Sequence, residues 1–330
     1  MLTSHEALEV FNSFNYENSL CNESKQVLNF CRKDWLAGST DNLNLVDIRL
    51  ALHKDFIGYP QEQIELNDNN YSAHYQWYPS DNLSTFQNNY NDPVKFSLLQ
   101  KLGYSSNTFQ PLQVTYKLNK FGFRCKEFND NPGIVFLGCS FTSGIGVEQE
   151  LIFPQLVANH FNLECWNLGM PGKGPDIPAL YASLFMRQEI KNIKALVVFW
   201  PPTARNTIFV KNQKGLRIEN LHEKNNFYEH LKPNYLPVLQ KELHTSLTDS
   251  NLDAVVDYFN LFKVNNFMRY LTYSNTFKNI ANELGVPFVS FSSDDVYNQQ
   301  GLLDLGRDLS HFGRISHRKI ADLIIKELDK

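Results

Sequence analysis

GIVFLGCSFTSGIGV, residues 133–147, is the stretch on which the fold turns. Ile134 to Leu137 is an unbroken β-branched and aromatic run bounded by Gly133 and Gly138. A short apolar run without polar alternation suits a strand buried on both faces, as in a parallel sheet. Ser140 falls just past its end, and in open α/β sheets the carboxyl ends of the strands line the ligand crevice. Gly138, Gly144 and Gly146 allow tight turns and close backbone approach there. A hydroxyl flanked by backbone N–H groups suits a nucleophile with half an oxyanion hole. Other readings of this loop stand beside that one. A nucleotide P-loop needs Gly-Lys-Ser/Thr, and Gly144-Ile145-Gly146 lacks the lysine. A flavin-phosphate loop could use Ser140, Thr142 and Ser143 as donors. The plainest reading is that a serine and some glycines merely finish a strand.

Working outward, Ala195–Trp200 and Val286–Phe291 have the same character as the first run, and Cys165–Leu168 is a shorter candidate strand. Apolar stripes of helical period separate them: Leu151, Phe153, Leu156, Val157 and Phe161, then Ile177, Leu180, Leu184 and Phe185. A third, Phe277, Ile280, Ala281 and Leu284, precedes Gly285, which is placed to stop a helix. After His311, Ser316 is expected to cap a final helix carrying Ile320, Leu323, Ile324 and Leu328. Strands and helices alternating from about residue 133 onward predict an open, doubly wound α/β sheet. VTYKLNKFGFRCKEF, residues 114–128, is expected to form a hairpin leading into it. The first 110 residues are rich in Asn, Tyr and Phe without sustained period and are expected to form an N-terminal extension or small domain. Residues 111–330 then make the main domain.

Composition narrows the function. Hydrophobic residues are 42% and charged residues 20% of 330, ordinary for a globular protein. A net charge of −4 argues against nucleic-acid binding, which needs clustered Lys and Arg. Five cysteines, Cys21, Cys31, Cys125, Cys139 and Cys165, show no CxxC or Cys/His spacing, so neither a disulfide framework nor a zinc site is expected. The histidines other than His311 form no ligand pattern, and no cofactor or metal is called for. The N-terminus has no apolar signal core, and no run approaches the roughly 18 apolar residues of a membrane span. A cytoplasmic location is expected.

RDLSHFG, residues 307–313, weighs in favour of the nucleophile reading of the Ser140 loop. Asp308 and His311 are three apart, and on a turn or first helical turn that spacing puts both on one face. The carboxylate can hold one imidazole nitrogen and leave the other to take a proton from Ser140. A phosphate-binding loop has no use for this pair, although a surface ion pair capping the last helix would look the same in isolation. Between the two motifs lies NLGMPGKGP, residues 167–175, in which Gly172 could aim its N–H at the nucleophile as a second oxyanion donor.

Together these blocks resemble the SGNH (GDSL-type) hydrolase superfamily, over residues 114–330. Its Gly-x-Ser block matches Gly138-Cys139-Ser140, its Asn and oxyanion glycine match Asn167 and Gly172, and its Asp-x-x-His block matches Asp308 and His311. The resemblance implies a flavodoxin-like sheet and a serine ester hydrolase acting through an acyl-enzyme, on O-acyl or acetyl esters, often of carbohydrates. It implies a catalytic Ser140, Asp308 and His311, oxyanion donors at Ser140 and Gly172, and a substrate contact at Asn167. Two positions depart from the pattern: Cys139 replaces the usual Asp, and Pro202, in FWPPTARN, stands where an oxyanion Asn belongs. Thr203, Arg205 or Asn206 is left to substitute. Two other functions share the scaffold: an O-acyltransferase, and a non-catalytic module that binds a glycan or other ligand. The aromatic cluster Tyr71, Tyr75, Trp77 and Tyr78 could stack on sugar rings, but packing is the commoner use of such residues.

Overall fold

The structure, a computed structural model, describes residues 68–78, 81–104, 114–172, 174–176, 189–201, 269–292 and 304–330, single positions at 178, 179, 182, 186 and 296, and the backbone of 206–212 and 215–221. The chain divides into two compact units, Met1–Ile48 and Arg49–Lys330, and every described residue belongs to the second.

In chain order the elements are β1 (Ala73–Tyr75), α1 (Leu83–Asn91), α2 (Pro93–Lys101), β2 (Tyr116–Leu118), β3 (Gly133–Gly138) and α3 (Ser140–Ser143). Next come α4 (Phe153–His160), β4 (Glu164–Gly169), β5 (Ile193–Trp200), β6 (Asn206–Asn212) and β7 (Gly215–Leu221). Helix α5 (269–284), β8 (Phe288–Ser292) and α6 (Arg314–Leu328) complete them.

The three apolar runs and the shorter Cys165–Leu168 candidate are all strands, and they form one parallel sheet in the order β4-β3-β5-β8. Register places Ile134 between Cys165 and Ala195. On one face Phe136, Val197 and Phe199 pack with Phe153 and Val157 of α4 and Ile320 and Ile324 of α6. Full burial of each such aromatic or branched side chain stabilises the fold by about 1.5–3 kcal/mol. Trp200, one residue on from Phe199, points to the opposite face and meets Tyr270 at 5.3 Å and Phe277 at 5.6 Å, both on α5. The chain passes from β3 to β4 on one side and returns to β5 on the other. β3 therefore has β4 on one side and β5 on the other. β3 leads directly into Ser140.

Helix ends follow their residue chemistry. Gly285 closes α5 at φ +66°, with Val286 N–H donating to Ala281 O at 3.0 Å, the glycine stop expected there. The α6 start departs from expectation: Gly313, not Ser316, is the N-cap. The Asp304 carboxylate accepts Ile315 N–H at 2.9 Å and Ser316 N–H at 2.8 Å, while the Ser316 hydroxyl donates to Asp304. A distant carboxylate thus performs the capping, because glycine has no side chain to do it. The stripe Ile177, Leu180, Leu184 and Phe185 lies outside the residues whose side chains are described.

Residues 114–128 do not fold back on themselves as a hairpin. β2 instead pairs antiparallel with β1, Tyr75 opposite Tyr116. Asn119 turns the chain after β2, its Oδ1 accepting the N–H groups of Phe121 at 3.1 Å and Phe123 at 3.0 Å. The partner strand comes from the Asn- and Tyr-rich stretch. Trp77, Tyr78, Phe86, Leu99 and Tyr104 share one core with Val114, Tyr116, Leu118 and Ile145. Over 73–104, the stretch expected as an extension up to residue 110 is therefore joined to the body that carries Ser140. Trp77 and Tyr78 are buried and serve packing, while Tyr71 and Tyr75 are half-buried. Among the described residues no helix is long and apolar enough to cross a membrane, and no three His, Cys, Asp or Glu side chains gather as a metal site.

Candidate active site

Gly138, Cys139 and Ser140 carry the chain from extended strand to helix in two peptides. Cys139 is the extended N-cap (φ −105°, ψ −151°), and α3 is a single turn closed by Gly144 at φ +72°. Ser143 N–H donates to Cys139 O at 3.0 Å and Gly144 N–H to Ser140 O at 2.9 Å. Ser140 is thereby fixed on the first turn of a helix at the carboxyl end of the central strand, 2% exposed. The β4 end packs tightly beside it: a Cβ on Gly169 would sit 2.5 Å from Ser143 N. Asn167, expected to touch substrate, is fully buried and works inside the fold. Its Nδ2 donates to Thr142 O at 2.9 Å and its Oδ1 accepts Gly169 N–H at 3.0 Å, so the amide ties β4 to α3.

The second motif lies on a loop rather than a helical turn. Leu305 and Phe312 form an isolated antiparallel bridge, Gly306 N–H donates to His311 O at 2.9 Å, and Gly313 N–H to Asp304 O at 3.0 Å. Within this closed loop Leu309 adopts φ +55°, uncommon for a branched side chain. Asp308 Oδ1 accepts the N–H groups of Ser310 and His311, each at 3.1 Å, and its Oδ2 lies 2.5 Å from His311 Nδ1. The Asp308 side chain is 1% exposed and that of His311 15%. With Nδ1 held by the carboxylate, Nε2 is the nitrogen available for proton transfer.

Phe141 joins the two motifs. Its ring meets the His311 ring at 5.6 Å and stacks on Phe312 at 4.3 Å. Beneath them His317 is fully buried, its Nδ1 accepting Phe153 N–H at 3.1 Å. Burial pushes its pKa down to about 3, with smaller contributions from Arg124 and His311, so it stays neutral.

A polar network invisible to motif reading supports both loops. Arg307 N–H donates to Gly146 O at 2.8 Å, while its guanidinium forks onto Asp81, Nη2 to Oδ2 at 2.7 Å. This ion pair is 3% and 1% exposed. Burial opposes the Arg307 charge, but Asp81 outweighs it and holds the guanidinium above its ordinary range. Tyr116 donates to Asp81 Oδ2 at 2.5 Å and accepts Gly146 N–H at 2.9 Å. Burial, then the Asp81 carboxylate, push this phenol well above its ordinary range, which keeps it a neutral donor. Arg124 donates to the carbonyls of Ser143 at 3.1 Å, Val147 at 2.8 Å and Gly144. The sequence cue to all this is only that Arg307 precedes Asp308.

Gly172 lies in the turn after β4 with φ +70°. Arg205 lies outside the described residues. Asn206 opens the β6–β7 hairpin, paired with Leu221, and its side chain is likewise outside them.

No protein-family model matches the chain, and no curated protein does. Among solved structures it is similar to a protein from Desulfitobacterium hafniense DCB-2 described as a candidate lipolytic protein of the G-D-S-L family. That match has 14% identity and a TM-score of 0.28, and spans 59% of this chain and 99% of the other.

Proposed function

We propose that this protein is a serine ester hydrolase of the SGNH type, working through an acyl-enzyme on a flavodoxin-like doubly wound sheet. One observation carries the reading. A buried carboxylate holds His311 by Nδ1 at 2.5 Å, on a loop packed through Phe141 against the turn that bears Ser140. An ion pair that merely capped the last helix would need neither a buried Asp308 nor this neighbour, and α6 is capped by Asp304.

In this reading Ser140 Oγ attacks the ester carbonyl as His311 Nε2 accepts its proton, and Asp308 orients and stabilises the imidazolium. The tetrahedral oxyanion takes N–H donors from Ser140 and Gly172. Its collapse breaks the ester C–O bond, and His311 returns the proton to the departing alcohol. Water then repeats the sequence and releases the acid. Arg205 or Asn206 is the proposed third oxyanion donor in place of the missing amide. O-acetyl or other acyl esters, carbohydrate esters among them, are the proposed substrates, on the strength of the superfamily resemblance.

Fluorophosphonate labelling, with turnover of aryl esters from acetyl to longer acyl chains, tests this. Covalent labelling and a preference within the series are expected. A chain that neither labels nor turns over any ester is not a serine hydrolase.

A further inference from the structure

The buried cluster around Asp81 does more than fill a core. Its carboxylate receives two limbs. One is the Arg307 guanidinium, with Nε at 3.1 Å from Oδ1 and Nη2 at 2.7 Å from Oδ2. The other is the Tyr116 phenol, at 2.5 Å from Oδ2. Each limb ends on the same residue. Arg307 N–H reaches Gly146 O, and Gly146 N–H reaches the Tyr116 oxygen. Gly146 is the meeting point of the two loops. It stands at φ +78°, and a Cβ there would lie 3.0 Å from Arg307 N and 3.1 Å from Asp308 Oδ1. Arg307 also donates to Gln76 O at 3.1 Å and lies over the Trp77 ring at 4.1 Å, so the N-terminal segment grips it on two sides.

We infer that Asp81, Tyr116 and Arg307 form a positioning triad that sets the spacing between the Ser140 turn and the Asp308–His311 loop. The inference rests on the proposed roles of Ser140, Asp308 and His311. Arg307 and Asp308 are consecutive, so a shift of the guanidinium moves the carboxylate that orients His311. Tyr116 fixes the other side, because Gly144 to Gly146 follow directly from α3. The three residues touch no reacting atom. They act through Gly146 and Asp308, and a displacement on the order of 1 Å at a catalytic group can lower turnover by about a hundredfold.

The test uses the full chain with Tyr116→Phe, Arg307→Lys and Asp81→Asn, assayed well below each variant's unfolding midpoint on the best aryl ester. Tyr116→Phe keeps the buried ring and is the variant that decides if the other two do not fold. The expected result is a tenfold or larger fall in kcat with KM within about threefold, and a matching fall in the fluorophosphonate labelling rate. Arg307→Lys, which keeps the charge but loses the fork, should not rescue. A Tyr116→Phe protein with lowered thermal stability but unchanged kcat and labelling rate overturns the inference and leaves the triad a core element. The two failures are distinguishable. If the unmodified protein does not label, or labels equally as Ser140→Ala, the catalytic reading itself has failed.

Discussion

Asp308 holds His311 twice, by its backbone N–H through Oδ1 at 3.1 Å and by its ring through Oδ2 at 2.5 Å. The side chain that orients the imidazole also sets the backbone from which that imidazole projects. Asp308→Asn is nearly isosteric but replaces one acceptor oxygen by a donor, so the ring loses its preferred tautomer. We expect turnover to fall on the order of 10³–10⁴-fold with the fold intact. Steady-state kinetics and near-ultraviolet circular dichroism measure the two sides of this. Turnover within tenfold of the unmodified protein would remove Asp308 from the mechanism.

Ser140 and Cys139 are both buried at the end of β3, and the proposed mechanism assigns the nucleophile to Ser140. Cys139 is the N-cap and belongs to the apolar core with Phe136 and Phe153. Ser140→Ala should abolish fluorophosphonate labelling and lower kcat by several orders of magnitude. Cys139→Ala should keep labelling and lose only stability. The reverse pattern, read by mass spectrometry of the labelled peptide, would move the nucleophile to the thiol.

The loop after Trp200 begins with two prolines that lack N–H donors, so side chains beyond them are the proposed third oxyanion donor. Arg205 and Asn206 are the candidates. A side-chain donor of this kind is worth about 3–4 kcal/mol. Arg205→Ala and Asn206→Ala, assayed separately for kcat/KM, should show one loss well beyond tenfold. Losses below tenfold in both, about 1.4 kcal/mol, would leave the oxyanion to backbone groups alone.

His317 makes folding sensitive to acid. Its folded pKa is about 3 against an ordinary 6.5, because burial penalises the charged ring. A depressed folded value means that the unfolded chain binds the proton first. The stabilisation is fully present above pH 6.5 and is lost as pH falls from 6.5 towards 3. At pH 5 the loss amounts to about 2 kcal/mol. His317→Gln can still accept Phe153 N–H but does not titrate. Its stability, from denaturant unfolding at several pH values, should lose less between pH 7 and 5 than the unmodified chain by about that amount. Parallel curves would show that His317 carries no such penalty.

The sheet was legible in the sequence because its central strands β3 and β5 are buried on both faces and read as unbroken apolar runs. The Ser140 turn and the Asp308–His311 pair were legible as local spacings, and the Phe141 ring that follows Ser140 packs against His311. What escaped is everything set by distance along the chain. β1 is three residues of mixed polarity, AHY, whose strand state comes from pairing with β2 rather than from its own period. Asp304 outcompetes Ser316 for the α6 start because the Leu305–Phe312 bridge brings the carboxylate there. Asn167 fits a substrate contact by position, yet its amide closes the β4–α3 junction.

Asp81 and Arg307 stand 226 residues apart. At synthesis rates of about 5–20 residues per second, some 10–45 s separate their emergence from the ribosome. During that interval Asp81 lacks the guanidinium that pairs with it, and β5 exposes an apolar strand whose partner β8 is still to come. The nascent chain thus passes through a period in which its sheet has an open edge and a buried acid lacks its counter-charge. Completion of the Asp81–Arg307 pair therefore waits for the loop that carries Asp308 and His311, and closure of that ion pair marks the docking of that loop.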